Sequence, residues 1–334
     1  MQKAGKMDFL VVGCGSIGKR HIRNLKQLGH NISVFDPDPW RLDQAAREYG
    51  ADKFCDLQSA LKRRFNGALI CAPTRFHIPL ALKVASAGIN LFIEKPLSDD
   101  LKQVQRLRSL VDRKRLVCLV GCNTRFIPSF KLVKELIGRG AIGKVLSVKI
   151  SCGFYLPYWH PGEDYRKSYS ARRELGGGVI FDDIHEIDSL YWLFGKPKEL
   201  FCFSGRVSDL KIDTEDLAEI FMRFKSGIIA QVHLDYLQRT YRRNYEFIGD
   251  KGLILWDYIS ENVELFSAQT DQKKVFQENI NISREKMFID EMEHFVNCIK
   301  GKEKSINGLR SAIEIFKIAH ACHESAKKKG IVYL

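Results

Sequence analysis

A lysine directly after a predicted strand has the position and the chemistry to accept a proton. Lys95 stands in Glu94-Lys95-Pro96, which follows the apolar stretch 90–93. Next to a bound cation and with little water, its ammonium form would be disfavoured, and its pKa would fall from about 10.4. The neutral amine could then hold a substrate hydroxyl and help to remove its proton. The alternative is that Lys95 only pairs with Glu94 at the strand end.

A histidine and two carboxylates form a second candidate group. Asp182, His185 and Asp188 follow three glycines, 176–178, at steps of three residues, which would place them on one face of a helix. The imidazole pKa of about 6.5 suits a general base, and either carboxylate could orient it. A half-buried structural histidine is the alternative. The set lacks the i, i+4 histidine pair of a zinc protease, so we predict no metal.

A glycine-rich turn near the start of the chain predicts the cofactor. Gly13-Cys14-Gly15-Ser16-Ile17-Gly18 follows the apolar stretch 8–12. The first glycine permits a tight turn, the second lets the backbone approach a pyrophosphate, and the third lets a helix pack closely on the strand. The helix N-terminus then offers N–H groups and a positive dipole end to the phosphates. The predicted dinucleotide contacts here are Gly13, Gly15, Ser16, Ile17 and Gly18.

An acidic residue one strand further on favours NAD over NADP. Asp36 closes the predicted strand 31–36. A carboxylate there can accept hydrogen bonds from both hydroxyls of the adenosine ribose and would repel a 2′-phosphate. Arg41, at the start of the next helix, could reach a 2′-phosphate, which keeps NADP as the alternative.

The pattern of strands and helices predicts two domains. From residue 8 to about 121, short apolar strands alternate with helices, which is typical of a doubly wound parallel sheet of the α/β class. From 123 onward, long alternating strands joined by short turns predict an α+β domain with a mainly antiparallel open sheet. We predict a dinucleotide-binding domain over 1–122 and a substrate-binding domain over 123–334, whose C-terminal helices could pack back on the first.

Composition excludes several classes of protein. The chain has 334 residues, 45% of them hydrophobic and 28% charged, which suits a globular protein of two domains. No apolar run approaches the roughly 20 residues that span a bilayer, and the polar start predicts no signal peptide. Nine cysteines without a C-x-x-C pair argue against disulfides and zinc. We expect a cytoplasmic protein with no membrane partner.

The net charge of +13 raises the question of a polyanionic partner. Basic residues are spread along helices and form no recognition motif, so we predict no nucleic-acid partner. One local run, Arg166-Lys167 with Arg172-Arg173, lies in a loop near the second candidate group. These side chains could meet an anionic substrate, with Arg166 as the predicted contact.

Two further segments supply candidate contacts. Ala72-Pro73-Thr74-Arg75-Phe76-His77 follows the predicted strand 67–72, and His77 could face the nicotinamide ribose or begin a helix. The loop 155–165 is both aromatic and polar, a composition suited to stacking on sugar rings. Tyr155 and Trp159 are its predicted substrate contacts. A folded surface loop is the alternative.

In their order along the chain, these motifs resemble the Gfo/Idh/MocA oxidoreductases over nearly the full length. The series is completed by Asn123-Thr124-Arg125-Phe126, Gly140-Ala141-Ile142-Gly143-Lys144-Val145 and His185-Glu186-Ile187-Asp188 after the three glycines. The resemblance implies a Rossmann domain followed by a domain whose open sheet commonly serves as an oligomer interface. It also implies NAD(P)-dependent oxidation or reduction at a sugar, cyclitol or similar carbon.

The same resemblance implies roles for individual residues. Lys95 would be the lysine of the family's E-K-P motif, His185 its catalytic histidine, and Asp182 the partner of that histidine. The remaining implied cofactor contacts are Ala72, Pro73, Thr74, His77, Glu94, Lys95 and Asn123, and the remaining implied substrate contacts are Lys95, Arg125, Asp182 and His185. The family more often leaves three residues between the aspartate and the histidine, whereas here only Asp183 and Ile184 separate them.

The sequence thus predicts an NAD-dependent dehydrogenase acting on a secondary alcohol of a sugar, acidic or nucleotide-linked sugars included, as a homodimer or homotetramer. One alternative is an enzyme that retains and recycles its NAD, with net epimerisation, hydrolysis or dehydration. The other is a dinucleotide sensor without catalysis, because a fold alone does not make an enzyme.

Overall fold

Residues 5–277 and 280–334 are described by a computed structural model, with side chains described outside 280–284, and they divide into two units. Unit 1 comprises Met1–Cys122 with Phe288–Ile313, and unit 2 comprises Asn123–Met287 with Glu314–Leu334. The first domain is predicted to end at 122, and the structure adds Phe288–Ile313 to that unit. No helix in the described parts of the chain has the length and apolar character to span a bilayer.

Unit 1 is built on a parallel sheet in the order β3-β2-β1-β4-β5-β6. Its strands are β1 Asp8–Val12, β2 Asn31–Phe35, β3 Asp52–Lys53, β4 Gly67–Ile70, β5 Asn90–Ile93 and β6 Cys118–Val120. Its helices between the strands are α1 Ser16–Gln27, α2 Pro39–Tyr49, α3 Leu57–Lys62, α4 His77–Ser86 and α5 Val104–Lys114. The predicted doubly wound α/β sheet is confirmed. Its strand order reverses beside β1, where ligands bind in such sheets.

The core of unit 1 explains why a late segment of the chain belongs to it. Phe9 on β1 and Phe92 on β5 are fully buried. Phe295 packs against both, with ring centroids 6.0 Å from Phe9 and 5.8 Å from Phe92. A buried phenylalanine contributes roughly 1.5–3 kcal/mol relative to an exposed one. This aromatic contact therefore holds the segment that starts at Phe288 on the sheet.

Unit 2 contains a nine-stranded sheet in the order β14-β13-β12-β11-β7-β10-β9-β8-β15. Its helices before β8 are α6 Pro128–Gly138, α7 Leu156–Trp159, α8 Val179–Asp182 and α9 Ile184–Phe194. Its strands are β7 Val145–Gly153, β8 Pro197–Gly205, β9 Leu217–Phe224, β10 Ile229–Asp235, β11 Arg242–Gly249, β12 Gly252–Asp257, β13 Asn262–Ser267, β14 Gln272–Gln277 and β15 Val332–Tyr333. Two long helices, α10 Ile280–Ile299 and α11 Leu309–Lys328, complete the chain.

The pairing within this sheet is mainly antiparallel, as the sequence predicted. The described exception is β7, which runs parallel to β10, with Val148 opposite Ala230. One face of the sheet is apolar and buried: along β9, Ala218, Ile220 and Met222 alternate with more exposed neighbours. That alternation is the signature of a sheet covered on one side.

One prediction about local structure is wrong. The spacing of Asp182, His185 and Asp188 assumed a single helix, but α8 ends at Asp182 and α9 begins at Ile184. Asp183 lies between them with φ −96° and ψ 35°, outside the helical range. Asp182 and His185 therefore stand on two short helices and do not share one helical face.

A histidine on the more exposed face of the unit 2 sheet is held between two carboxylates. His233 Nδ1 lies 2.5 Å from Glu219 Oε1, and its Nε2 lies 2.8 Å from Asp235 Oδ2. Hydrogen bonding to Asp235 and Glu219 raises the pKa of His233 to about 9. Both ring nitrogens then donate, so the charged imidazolium is the form that this site favours.

We expect His233 to stabilise the fold below pH about 6.5 and to lose this contribution as the pH rises through about 9. Because its folded pKa lies above the unfolded value, the folded state binds the extra proton. Thermal unfolding of wild type and His233→Gln at pH 6.5 and 9.5 measures the effect. The Tm difference between the proteins should shrink at pH 9.5. His160→Gln, at an exposed histidine, is the control, and an unchanged Tm difference would contradict the prediction.

Candidate active site

Two glycines of the turn between β1 and α1 are required by the protein itself. Gly13 has a φ of +103°, and a Cβ there would lie 2.7 Å from the carbonyl carbon of Cys71. A Cβ on Gly18 would overlap the carbonyl oxygen of Gly13. Helix α1 consequently packs directly on the strand end, as the motif predicts.

No contact within the described protein requires a glycine at position 15, the second glycine of this turn. Gly15 has a φ of −71° and a ψ of −171°, an extended backbone that any residue adopts. Nothing in the described structure lies within 4 Å of a Cβ built on it, and α1 begins there without a side-chain cap from the described residues. The first N–H groups of α1, from Ser16 and Ile17 onward, are thus open to an anion. The residues present fit the pyrophosphate of a dinucleotide.

Asp36 is fixed at the carboxyl end of β2, beside that turn. It is buried, its Oδ2 accepts the N–H of Cys14 at 2.7 Å, and its Oδ1 accepts the N–H of Asp38 at 2.9 Å. Each carboxylate oxygen has a second lone pair, so both can still accept a ribose hydroxyl. Arg41 is more than half exposed and lies 3.6 Å from Asp38. Its contact with a 2′-phosphate stays a prediction.

The turn that carries Lys95 is held through its neighbours. Glu94 Oε1 lies 2.6 Å from Nε2 of His21, and Glu94 Oε2 accepts the backbone N–H of Lys95 at 3.2 Å. Burial opposes ionisation of Glu94, but the hydrogen bond and charge of His21 and the charge of Lys95 prevail and hold its pKa below the usual range. Glu94 is therefore an ionised carboxylate next to Lys95. The peptide bond between Lys95 and Pro96 is cis.

His77 connects this turn to the preceding strand end. Its Nδ1 lies 2.8 Å from the carbonyl oxygen of Pro96, and its Nε2 lies 2.7 Å from that of Ala72. The side chain is buried, and burial lowers its pKa. A neutral ring has one N–H, so His77 donates to one of these carbonyl oxygens and contacts the other, and in this way it links two turns. Direct cofactor contacts of His77 and of Ala72, Pro73 and Thr74 stay predictions.

In unit 2, the carboxylate of Asp182 accepts hydrogen bonds from hydroxyl groups of three described residues. Tyr169 Oη, Ser170 Oγ at 2.7 Å and Tyr236 Oη at 3.2 Å donate to its carboxylate. Burial and the charge of Asp182 raise the pKa of Tyr236 well above its usual value, so this phenol stays protonated. Asp182 is itself buried. Nothing in the spacing of the sequence points to these hydroxyl donors.

The three glycines before α8 make this arrangement possible. A Cβ on Gly177 would overlap the carbonyl oxygen of Tyr169, and Gly178 has a φ of +112°. The segment with Tyr169 and Ser170 therefore packs directly against the start of α8. The glycines serve this close contact, which brings both hydroxyls to Asp182.

Helix α9, which carries His185, is held by two buried ion pairs. Arg243 Nε lies 2.7 Å from Glu186 Oε1. Arg125 donates from Nε to Asp188 Oδ2 at 2.8 Å and from Nη2 to Asp188 Oδ1 at 2.6 Å. Arg125 is 1% exposed, and its predicted substrate contact stays a prediction. Asp188 uses both oxygens in that pair, and its role as partner of His185 stays a prediction.

The aromatic loop is only partly exposed. Trp159 stacks on Phe154 with ring centroids 4.2 Å apart, and 40% of Trp159 is exposed. The guanidinium of Arg239 lies 3.7 Å above the ring of Tyr155. Stacking of Tyr155 and Trp159 on a sugar stays a prediction. Asn123, a predicted cofactor contact, is half-buried at the start of unit 2.

The three arginines of the basic run lie next to carboxylate or carbonyl oxygens that accept their hydrogen bonds. Arg166 donates to both oxygens of Asp164, at 2.8 and 2.9 Å. Arg172 pairs with Glu174, and Arg173 Nη2 donates to the carbonyl oxygen of Asp213 at 3.0 Å. These pairs reduce the charge that Arg166 and its neighbours present. The predicted anionic contact is therefore less favoured than the sequence suggests.

One group of side chains in the described residues has a spacing that a metal could use, namely Cys152, Asp183 and Glu186, whose ligand atoms lie within 4.8 Å of one another. Glu186 already pairs with Arg243. Burial raises the pKa of the Cys152 thiol well above its usual value, so the thiol is protonated when no metal is bound. The ion pair of Glu186 with Arg243 argues against a metal ion at this group of side chains.

Unit 1 combines a parallel sheet, an open glycine at a helix N-terminus and an acid at the next strand end, which together define a Rossmann-type dinucleotide-binding protein. Two family models agree with this class. The model described as "Oxidoreductase family, NAD-binding Rossmann fold" matches residues 7–122, and the "GFO/IDH/MocA C-terminal domain" model matches residues 130–255. The chain belongs to the Gfo/Idh/MocA family of NAD-binding oxidoreductases.

Named relatives extend over nearly the whole chain. It is 27% identical to the myo-inositol 2-dehydrogenase of Thermotoga maritima, with 98% of each chain covered. It is 26% identical to the scyllo-inositol 2-dehydrogenase (NAD(+)) of Bacillus subtilis, covering 91% of this chain and 90% of that one. A levoglucosan dehydrogenase solved with NADH has the same fold, with a TM-score of 0.89, 21% identity and coverage of 98% and 99%.

Replacing one member of the Arg125–Asp188 pair should lower the free energy of unfolding far more than replacing both. Asp188→Asn leaves a buried guanidinium without its counter-charge, at a cost of about 3–5 kcal/mol in the free energy of unfolding. The double variant Arg125→Met with Asp188→Leu removes both charges and should be closer to wild type. Urea unfolding measures each free energy.

Glu135→Gln provides the exposed control, because Glu135 pairs with Arg139 at the surface. It should change the free energy of unfolding by less than about 1 kcal/mol. An Asp188→Asn protein as stable as the double variant would contradict the account of this pair.

Proposed function

We propose that the chain is an NAD-dependent dehydrogenase that moves a hydride between C4 of nicotinamide and a secondary alcohol carbon of a sugar or cyclitol. The observation that carries the proposal is the glycine at position 15, which no contact within the described protein requires, at an uncapped helix N-terminus. Two inositol dehydrogenases among the relatives support the type of substrate. The motifs add two candidate catalytic residues, Lys95 and His185.

In oxidation, the alcohol loses a hydride from carbon and a proton from oxygen, which leaves a ketone. NAD, when bound, supplies the hydride acceptor. Lys95 holds the substrate hydroxyl and accepts its proton as the C–H bond breaks. The proton then leaves Lys95 for solvent. His185 is a second candidate proton acceptor, with Asp182 as its proposed partner. These roles follow from the E-K-P and histidine motifs.

Within this class, neutral sugars and cyclitols are the first substrates to test, because the arginines of the basic run have nearby acceptors. Acidic and nucleotide-linked sugars come next, since Arg166 is still exposed. A second candidate function is a retained NAD that is reduced and reoxidised in one turnover. It is consistent with a relative from Mediterraneibacter gnavus that is named 2,7-anhydro-N-acetylneuraminate hydratase, because a hydration involves no net oxidation; the identity is 27% over 66% of this chain and 59% of that one.

Lys95→Ala should lower turnover by a factor of about 100–10,000, the usual contribution of a general base, with little change in NAD affinity. NADH formation is followed at 340 nm on a panel of cyclitols, neutral sugars, uronic acids and nucleotide sugars. NAD affinity is measured separately by calorimetry. Lys102→Ala, at an exposed lysine, is the control. Near-normal turnover of Lys95→Ala would refute the role of this residue. NAD that remains bound through purification would favour the recycling function.

A further inference from the structure

A buried histidine on the cofactor helix holds the residue before Lys95. His21 lies in α1, one turn after Gly18, and its side chain is fully buried. Its Nε2 is 2.6 Å from Glu94 Oε1, while Glu94 Oε2 accepts the backbone N–H of Lys95. The helix whose N-terminus is open to pyrophosphate is thus connected to the strand end that carries Lys95 by one histidine–carboxylate pair.

The contacts of His21 show which member of this pair donates the hydrogen bond. An ionised carboxylate only accepts hydrogen bonds, so Nε2 of His21 carries the proton. Its Nδ1 makes no hydrogen bond with the described residues. The ring lies edge-on to Phe92, with centroids 5.2 Å apart. His21 is therefore a donor aimed at Glu94 in an otherwise apolar site.

An ionised carboxylate at position 94 lowers the stability of the fold, which suggests that the charge has a function. Burying an ionised carboxylate costs several kcal/mol, which hydrogen bonds only partly recover. An apolar pair of the same size would fill this space without that cost. Among the described residues, the groups that act electrostatically with Glu94 include His21 from α1, Lys95, the thiol of Cys71 after β4, and His77 from α4. Of these, Lys95 is the one with a proposed role in proton transfer.

We propose that His21 and Glu94 are positioning residues for Lys95: His21 fixes the carboxylate of Glu94, and this carboxylate sets the place of Lys95 and the pH at which it accepts the substrate proton. The proposal rests on the role of Lys95 in the proposed function. A nearby negative charge favours the ammonium form, so Glu94 counteracts the effect of the oxidised nicotinamide on Lys95. The balance between these two charges sets the pH at which Lys95 becomes the neutral amine that can accept the substrate proton.

The test is the pH profile of kcat for NADH formation, in which the acid limb reports the proton acceptor in the substrate complex. Glu94→Gln keeps the shape and removes the charge, so the limb should move to lower pH by about 1 unit. His21→Phe should move the limb in the same direction, because Glu94 without its donor keeps a proton to higher pH. His21→Gln retains an N–H donor and should restore the wild-type profile.

Controls separate this effect from loss of structure. His30→Gln changes another buried histidine of unit 1, which accepts the N–H of Met7, and should leave the limb in place. Tm and NAD affinity are measured for every variant. If Glu94→Gln and His21→Phe lower only Tm and leave the limb unmoved, the pair is structural and the proposal fails. If Lys95→Ala itself keeps its turnover, the proposed function fails first and the inference falls with it.

Discussion

The closeness of α1 to the first strand is the constraint on which unit 1 depends. Gly18 has no room for a side chain against the carbonyl of Gly13, and Gly13 has none against the backbone of Cys71. Three segments of backbone therefore meet at van der Waals distance. This contact aims the N-terminus of α1, with its N–H groups, over the strand ends. It also brings His21, one turn further along the helix, within 2.6 Å of Glu94.

Both units position a candidate catalytic side chain through its neighbours in the chain. Lys95 lies between Glu94, paired with His21, and Pro96, whose carbonyl contacts His77. On α9, His185 is followed by Glu186, paired with Arg243, and Asp188, paired with Arg125. Buried charges and hydrogen bonds are expensive to break. They restrict the backbone on which each candidate catalytic group stands.

The sequence was sufficient for features that depend on local spacing. The parallel sheet follows from alternating strands and helices, and the turn at Gly13, Gly15 and Gly18 from the steric needs of a strand–helix junction. The prediction that Gly15 faces a ligand also rests on local evidence, because any residue could adopt the backbone conformation at that position. Asp36 was found as the last residue of a predicted strand. For these features, a residue's neighbours within about twenty positions decide its role.

Features that depend on distant pairs could not be predicted in this way. Arg125 and Asp188 are 63 positions apart, and Tyr236 and Asp182 are 54 apart. Nothing in the spacing of Arg125 distinguishes a buried partner from a substrate contact. The break at Asp183 was missed because helical spacing continues through it, although the backbone there leaves the helical range.

The measurement that tests the central claim most directly is calorimetric titration of NAD into wild type and Gly15→Leu. A Cβ at position 15 lies more than 4 Å from every described neighbour and the backbone there is extended, so the variant should keep the fold, as its circular dichroism and Tm will show. We predict one NAD site per wild-type chain, and in Gly15→Leu a loss of affinity of at least about tenfold, or 1.4 kcal/mol. Equal NAD binding by both proteins, or none by wild type, would contradict the account.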